Sequence, residues 1–165
     1  MKLFLKIKNW QFFIFMIVLT YCVRDRLTMI IIMTTFLAFF SFWLYSIARI
    51  GQRKLKEFEL KGQKTTYQAI SCILMPLSWL IVVLNPAIFI GINPHVIWYR
   101  AMSVTLSLLF LSTCLYSIFF ASKTIKTIEL RSFPKFQQYA LIILGIILWP
   151  IGIWFVQPKV NRISV

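Results

Sequence analysis

Four long stretches of this chain carry no charged side chain. They cover residues 27–48, 67–84, 101–122 and 136–157. A helix needs about 20 apolar residues to cross about 30 Å of hydrocarbon, because every backbone polar group must be satisfied within the segment. Each stretch is close to this length, and the composition agrees, with 60% hydrophobic residues and a mean hydropathy of +0.82. The sequence therefore predicts an all-α membrane protein with at least four spans.

A fifth apolar stretch, residues 9–23, is shorter and lies between basic residues. It either spans by thinning the bilayer while its flanking side chains snorkel, or lies in the interface. We expect it to span. A lipoprotein signal needs a small residue before its cysteine, and Tyr21 stands before Cys22. We therefore expect this segment to be retained as a short N-terminal helix.

The charge of the chain is strongly unbalanced, with 18 Lys and Arg against 4 Asp and Glu and a net charge of +14. The basic residues cluster between the uncharged stretches, which favours membrane orientation over nucleic-acid binding. With five spans, most of them fall on one side of the membrane. We therefore predict that the N-terminus and the basic connectors are cytoplasmic and that the C-terminus lies outside.

The two halves of the chain resemble each other. An alignment that pairs Thr34 with Thr105 also pairs residues 44–47 with 115–118. One residue out of step, the connectors match at Lys56, Glu59 and Leu60 against Lys126, Glu129 and Leu130. We predict a duplicated two-helix hairpin that forms a pseudo-symmetric four-helix transmembrane bundle, plus one short N-terminal helix. The predicted divisions are 1–26 for the N-terminal segment, 27–98 for the first hairpin and 99–165 for the second hairpin with a short tail.

Each connector places apolar residues three apart among Lys and Arg, as in Leu55 with Phe58 and Ile125 with Ile128. This pattern is typical of a surface helix that binds anionic lipid, and also of a solvated helix extension whose charges set topology. Both interpretations stay open. The candidate anionic-lipid contacts are Arg53, Lys54, Lys56, Lys61, Lys64, Lys123, Lys126 and Arg131.

Prolines interrupt the two predicted return spans at nearly the same depth, Pro76 in one and Pro150 in the other. Interrupted helices in corresponding halves are typical of transporter binding sites, although neighbouring helices can also absorb a proline kink by packing. The candidate substrate or packing residues are Pro76, Ser78, Trp79, Trp149, Pro150 and Gly152.

No set of residues in the sequence has the spacing of a catalytic or metal site. His95 is the only histidine and has no Asp, Glu or Cys near it in the sequence. The three cysteines, Cys22, Cys72 and Cys114, lack a Cys-x-x-Cys pair and are typical of small core residues, with one disulfide as the alternative. We expect no enzyme, no cofactor, no metal and no nucleic-acid partner.

Residues 149–154 (WPIGIW) and 157–161 (QPKVN) resemble the ending of uncharacterised bacterial multipass membrane proteins, and the connector 123–130 (KTIKTIEL) is similar to theirs. The resemblance covers roughly the C-terminal quarter, implies a bacterial inner membrane and brings no assigned activity. We expect a non-enzymatic accessory, assembly or docking subunit, in contact with anionic lipids and with a membrane protein or a second copy. The alternative is a small transporter or permease for a neutral or lipid-like solute.

Overall fold

The computed structural model describes residues 25–60, 62–84, 97–148 and 152–164, with the isolated positions 14, 17 and 21. In this part of the chain every regular element is a helix and there is no strand. The helices are α1 (Arg26–Glu57), α2 (Thr66–Leu84), α3 (Ile97–Leu130), α4 (Phe136–Ile147) and α5 (Ile153–Ser164). The predicted all-α class is confirmed for these residues. The prediction of a short N-terminal helix lies almost entirely outside them.

Among the described residues, three helices are long and apolar enough to cross a membrane. With 32, 19 and 34 residues, α1, α2 and α3 are about 48, 28 and 51 Å long at about 1.5 Å per residue. The hydrocarbon layer is about 30 Å thick. α1 and α3 therefore extend beyond it, and their C-terminal turns carry the basic connectors.

Local sequence fixes both ends of α1. Asp25 caps the N-terminus: its carboxylate accepts hydrogen bonds from the hydroxyl and the backbone N–H of Thr28, and these lower the pKa of Asp25. At the other end Leu60 N donates to Leu55 O at 2.9 Å and Glu59 N to Lys56 O at 3.1 Å, with Glu59 at φ 57°. This pair of bonds is the Schellman motif, which ends a helix sharply and turns the chain towards α2.

The three long helices pack together, with α2 antiparallel to its two neighbours. Cys72 Sγ lies 3.8 Å from Ser117 Oγ. Seven residues later in α2 and seven residues earlier in α3, the rings of Trp79 and Phe110 are 5.9 Å apart, as expected for antiparallel helices. α1 and α3 consequently run parallel. They approach closely where Gly51 faces Thr124. A Cβ added at Gly51 would overlap the Thr124 methyl group.

The predicted fourth span, 136–157, is divided in the structure, which corrects our prediction of one continuous helix. α4 has 12 residues, about 18 Å, which is too short to cross the hydrocarbon layer. α5 then folds back along α4, with Gly152 against the Gly145 backbone and the Lys159 ammonium 3.2 Å from a Glu129 carboxylate oxygen. Because Glu129 lies at the end of α3, the two short helices form a hairpin that starts and ends at the basic end of the bundle.

This hairpin alters two further predictions. α4 packs on α3, and α5 contacts both α1 and α3, so a four-helix bundle of two like hairpins is not confirmed in the described residues. The duplication itself remains a prediction about the sequence. The C-terminal helix also lies at the end of the bundle that carries the basic connectors, whereas we predicted it at the opposite end.

The packed core lies in the half of the bundle nearest the connectors. One buried apolar cluster there contains Trp43, Leu44, Ile47 and Ile50 of α1. Its other members are Cys72, Ile118, Ala121, Ile125, Ile142, Ile143, Ile146, Val156 and Val160. The early turns of α1 and α3 instead expose apolar side chains such as Ile31 and Val104. Exposed apolar surface is ordinary where the surrounding solvent is lipid.

Candidate anion-binding cleft

A cleft of about 410 Å³ opens between the last turns of α1 and the start of α2. Its volume lies towards the lower end of the range of small-molecule sites, about 300–1,000 Å³. α1 contributes Arg49, Gln52, Arg53 and Lys56, and the segment 62–66 forms the other wall. Four of the lining residues are basic, so the chemistry of the cleft is that of an anion site.

The helical repeat explains why α1 presents these side chains together. Arg49, Arg53 and Lys56 follow one another at intervals of four and three residues, which places them along one helix face. Gly51 and Leu55 occupy the opposite, buried face against α3. The basic face of α1 is therefore directed away from the core and towards the cleft.

The second wall adds positive potential of its own. Lys64 lines the cleft beside Thr65 and Thr66, where α2 begins. The first N–H groups of a helix have no partner within it and the helix dipole is positive there, so this end attracts anions. The first turn of α2 has no acidic residue, and no carboxylate is among the described residues that line the cleft.

The base of the cleft is held in place by Gln52, which is only 6% exposed. Its Oε1 accepts a hydrogen bond of 2.7 Å from the Gln63 backbone N–H, and its Nε2 donates to Thr124 Oγ1 at 3.2 Å. One side chain therefore joins α1, the following loop and α3. Gly62 packs closely on it, since a Cβ there would lie 3.1 Å from Gln52 Oε1.

Three of the eight lysines and arginines predicted to contact anionic lipid line this cleft: Arg53, Lys56 and Lys64. Lys54, Lys123, Lys126 and Arg131 lie elsewhere, and Lys61 is outside the described residues. Arg131, for example, stands over the Phe58 ring, 4.9 Å from its centre. Sequence reasoning missed Arg49 as a site residue, although its four-residue spacing from Arg53 was a usable signal.

Glu129 organises a separate charge cluster on α3. Its carboxylate pairs with Lys126 of the same helix at 2.8 Å and with Lys159 of α5 at 3.2 Å. Partial burial acts to raise the pKa of Glu129, but the hydrogen bonds and charges of the two lysines outweigh it and hold the pKa below its ordinary value. This cluster attaches α5 to α3. Glu129 is not among the residues that line the cleft.

The structure does not unite the residues predicted from the prolines. Pro76 and Ser78 belong to α2, where Ser78 donates to Met75 O at 3.1 Å and Trp79 contacts α3. Gly152 is buried in the α4–α5 hairpin, and Trp149 and Pro150 lie outside the described residues. α2 makes its extensive contacts with α1 and α3 rather than with the hairpin.

A second cavity, about 430 Å³ in volume, lies between α4 and α5 and is lined mainly by apolar side chains. It includes Gly152 but no residue of α2. In the described residues no three His, Cys, Asp or Glu side chains come together to hold a metal ion. Comparison of the chain with protein-family models, with curated proteins and with solved structures finds no match.

Proposed function

We propose that this chain is a non-enzymatic integral membrane protein that acts by docking, and that the cleft is its contact for anionic phospholipid headgroups. The observation that carries the proposal is the convergence of Arg49, Arg53, Lys56 and Lys64 on one cavity beside a helix N-terminus. Separate basic residues on a surface would not need such a cavity to set membrane orientation.

The position of the cleft along the helices supports a lipid partner. Arg49 follows directly after the uncharged stretch 27–48, and the next uncharged stretch begins at residue 67. The cleft therefore lies where hydrocarbon gives way to headgroups. Each basic residue near an anionic membrane surface contributes about 1 kcal/mol of attraction, so the cleft residues attract anionic headgroups.

We further propose a bacterial inner membrane as the location, with the basic end in the cytoplasm. The support for the orientation is the excess of Lys and Arg at one end of the bundle and the rule that such loops stay on the cytoplasmic side. The support for the type of membrane is the resemblance of residues 149–154 and 157–161 to bacterial multipass proteins. A membrane protein partner or a second copy would then be held near anionic lipid.

Lipid-dependent stability tests the proposal. The full chain, purified in a non-ionic detergent, is melted with short-chain phosphatidylglycerol or with short-chain phosphatidylcholine. A ligand that binds only the folded protein raises its melting temperature. The cleft variant, R53Q with K56Q and K64Q, removes one arginine and two lysines from the cavity. The control variant, K54Q with R131Q and K135Q, removes the same charges from outside it.

We expect phosphatidylglycerol to stabilise the natural protein and the control variant, and to stabilise the cleft variant no more than phosphatidylcholine does. Equal stabilisation of all three proteins would show that charge at this end of the bundle acts without the cleft. That result would reject the proposal.

A transporter for a neutral or lipid-like solute is the second candidate. The observation that favours it is the α4–α5 hairpin, where an apolar stretch is interrupted beside a cavity. Non-helical backbone at membrane depth is tolerated where it is buried or lines a cavity. Solute flux into vesicles containing the protein, abolished by filling the cavity with Leu144→Trp, would favour transport over docking.

A further inference from the structure

The cleft provides more positive charge than a single anionic charge requires. Apart from Arg49, the cleft is lined by Arg53, Lys56 and Lys64 beside the start of α2, and no carboxylate is among its described lining residues. Like charges held together repel one another, so the arrangement is most stable with a ligand that carries more than one negative charge.

We propose that the cleft selects a phosphomonoester, the terminal phosphate of a membrane lipid, over the phosphodiester of an ordinary headgroup. This inference rests on the proposed function and names the ligand class of the same site. A phosphomonoester carries about −1.5 to −2 charge at pH 7 and has three strong acceptor oxygens. A diester carries one charge and has two free oxygens.

The donors of the cleft match the group with three oxygens. Arg53 carries a planar fork that can donate two parallel N–H bonds to phosphate oxygens, while Lys56 and Lys64 act as point charges. The backbone N–H groups at the start of α2 add donors fixed by the helix. A diester cannot use all of them at once, because two of its four oxygens are esterified.

The loop that forms the second wall of the cleft is held in position before a ligand arrives. Gln52 fixes the Gln63 backbone against α1 and ties α1 to Thr124 of α3. Gly62 packs on the same glutamine. Because the loop is already ordered around a buried side chain, less ordering is required when the ligand binds, which favours affinity and selectivity.

A lipid, rather than free phosphate, fits the surroundings of the cleft. Immediately beyond Thr66, α2 exposes apolar side chains, including Ile70 and Ile73 at 49% and 67% of their surface. Acyl chains attached to a phosphate in the cleft can lie along this face. Inorganic phosphate has no acyl chain to contact this face, so we expect the cleft to bind it more weakly than it binds a lipid phosphate.

Binding of defined lipids to the purified full chain tests the inference. Native mass spectrometry in non-ionic detergent counts bound dioctanoyl phosphatidate, a monoester, and dioctanoyl phosphatidylglycerol, a diester, and inorganic phosphate is added as a competitor. We expect phosphatidate to bind the natural protein about tenfold more tightly than phosphatidylglycerol, a difference of about 1.4 kcal/mol. Inorganic phosphate should compete only weakly.

The preference should disappear in the cleft variant and persist in the control variant. The double variant K56Q with K64Q keeps both arginines and should show a reduced preference, which provides a second reading if the triple variant does not fold. Equal binding of the two anionic lipids, lost in the cleft variant, would overturn the monoester inference and leave the proposed function standing. Anionic binding that survives in the cleft variant would overturn both. Competition by inorganic phosphate as strong as by phosphatidate would overturn the assignment to a lipid.

Discussion

Gly51 allows α1 and α3 to approach closely because it has no side chain. A Cβ there would overlap the Thr124 methyl group and lie 3.2 Å from Ile128 Cδ1. The hydrogen bond from Gln52 to Thr124 is formed at the same contact. The packing of α1 on α3 and the base of the cleft therefore depend on the same pair of neighbouring residues.

Gly51→Ala is expected to destabilise the protein. Overpacking costs about 1–3 kcal/mol, partly offset by about 1 kcal/mol from the better helix propensity of alanine. Thr124→Ser removes the methyl group in conflict but keeps the hydroxyl that accepts from Gln52. The double variant should consequently be at least as stable as the natural protein in thermal unfolding. If Gly51→Ala alone proves as stable as the double variant, the close contact is wrong.

At the scale of single residues the sequence singles out three of the basic residues that line the cleft. Arg53, Lys56 and Lys64 were identifiable because basic residues in a connector predict anionic contacts. Arg49 was not identified, since it directly follows an apolar stretch and serves equally as a topology signal. The role of Gln52 could not be predicted, because its partners Gln63 and Thr124 come together only when the helices pack.

The helices show where hydropathy succeeds and where it fails. The uncharged stretches 27–48, 67–84 and 101–122 lie within three helices long enough to cross a membrane, because bilayer thickness imposes a minimum length. The stretch 136–157 meets the same criterion and yet folds back on itself. Length and polarity do not report the close approach of Gly152 to the Gly145 backbone, which leaves no room for a Cβ on Gly152.

Attachment of α5 to α3 through Glu129 is expected to depend on pH. The pKa of Glu129 in the folded protein lies below its ordinary value of 4.5. The carboxylate therefore adds stability at pH values above 4.5, and this stability is lost as the pH falls through the lower folded-state pKa. Because the pair is partly exposed to solvent, we expect the contribution to be at most about 1 kcal/mol.

Thermal unfolding of the natural protein and of Glu129→Gln measures this contribution. The natural protein should melt at the higher temperature at pH 7, and the two should converge as the pH falls below the folded-state pKa of Glu129. A difference that stays constant throughout the acid titration would contradict the ion pairs with Lys126 and Lys159.

At the scale of the whole molecule, the connectors, the cleft and the C-terminal helix α5 lie at the same end of the bundle, because the α4–α5 hairpin returns the chain to that end. Lys159 of α5 reaches Glu129 at the end of α3, and the core lies in the same half of the bundle. The opposite half presents apolar side chains of α1 and α3. The buried core and the basic residues therefore lie in the same half of the bundle.

This organisation predicts the membrane side of the C-terminus. Reporter fusions placed after Val165 and within the loop 58–64 should both report the cytoplasm. A fusion after Leu84, where α2 ends, should report the other side and serves as the control. Opposite signals from the C-terminal and loop fusions would restore a continuous fourth span and contradict the hairpin.

The central claim is that anionic lipid is held in the cleft between α1 and α2. Lipid retained through purification tests it most directly: the natural protein, the cleft variant and the control variant are purified from the same membranes, and lipid phosphorus per chain is measured. We predict that the natural protein and the control variant retain anionic phospholipid and that the cleft variant loses it. Equal retention by all three proteins would contradict the claim.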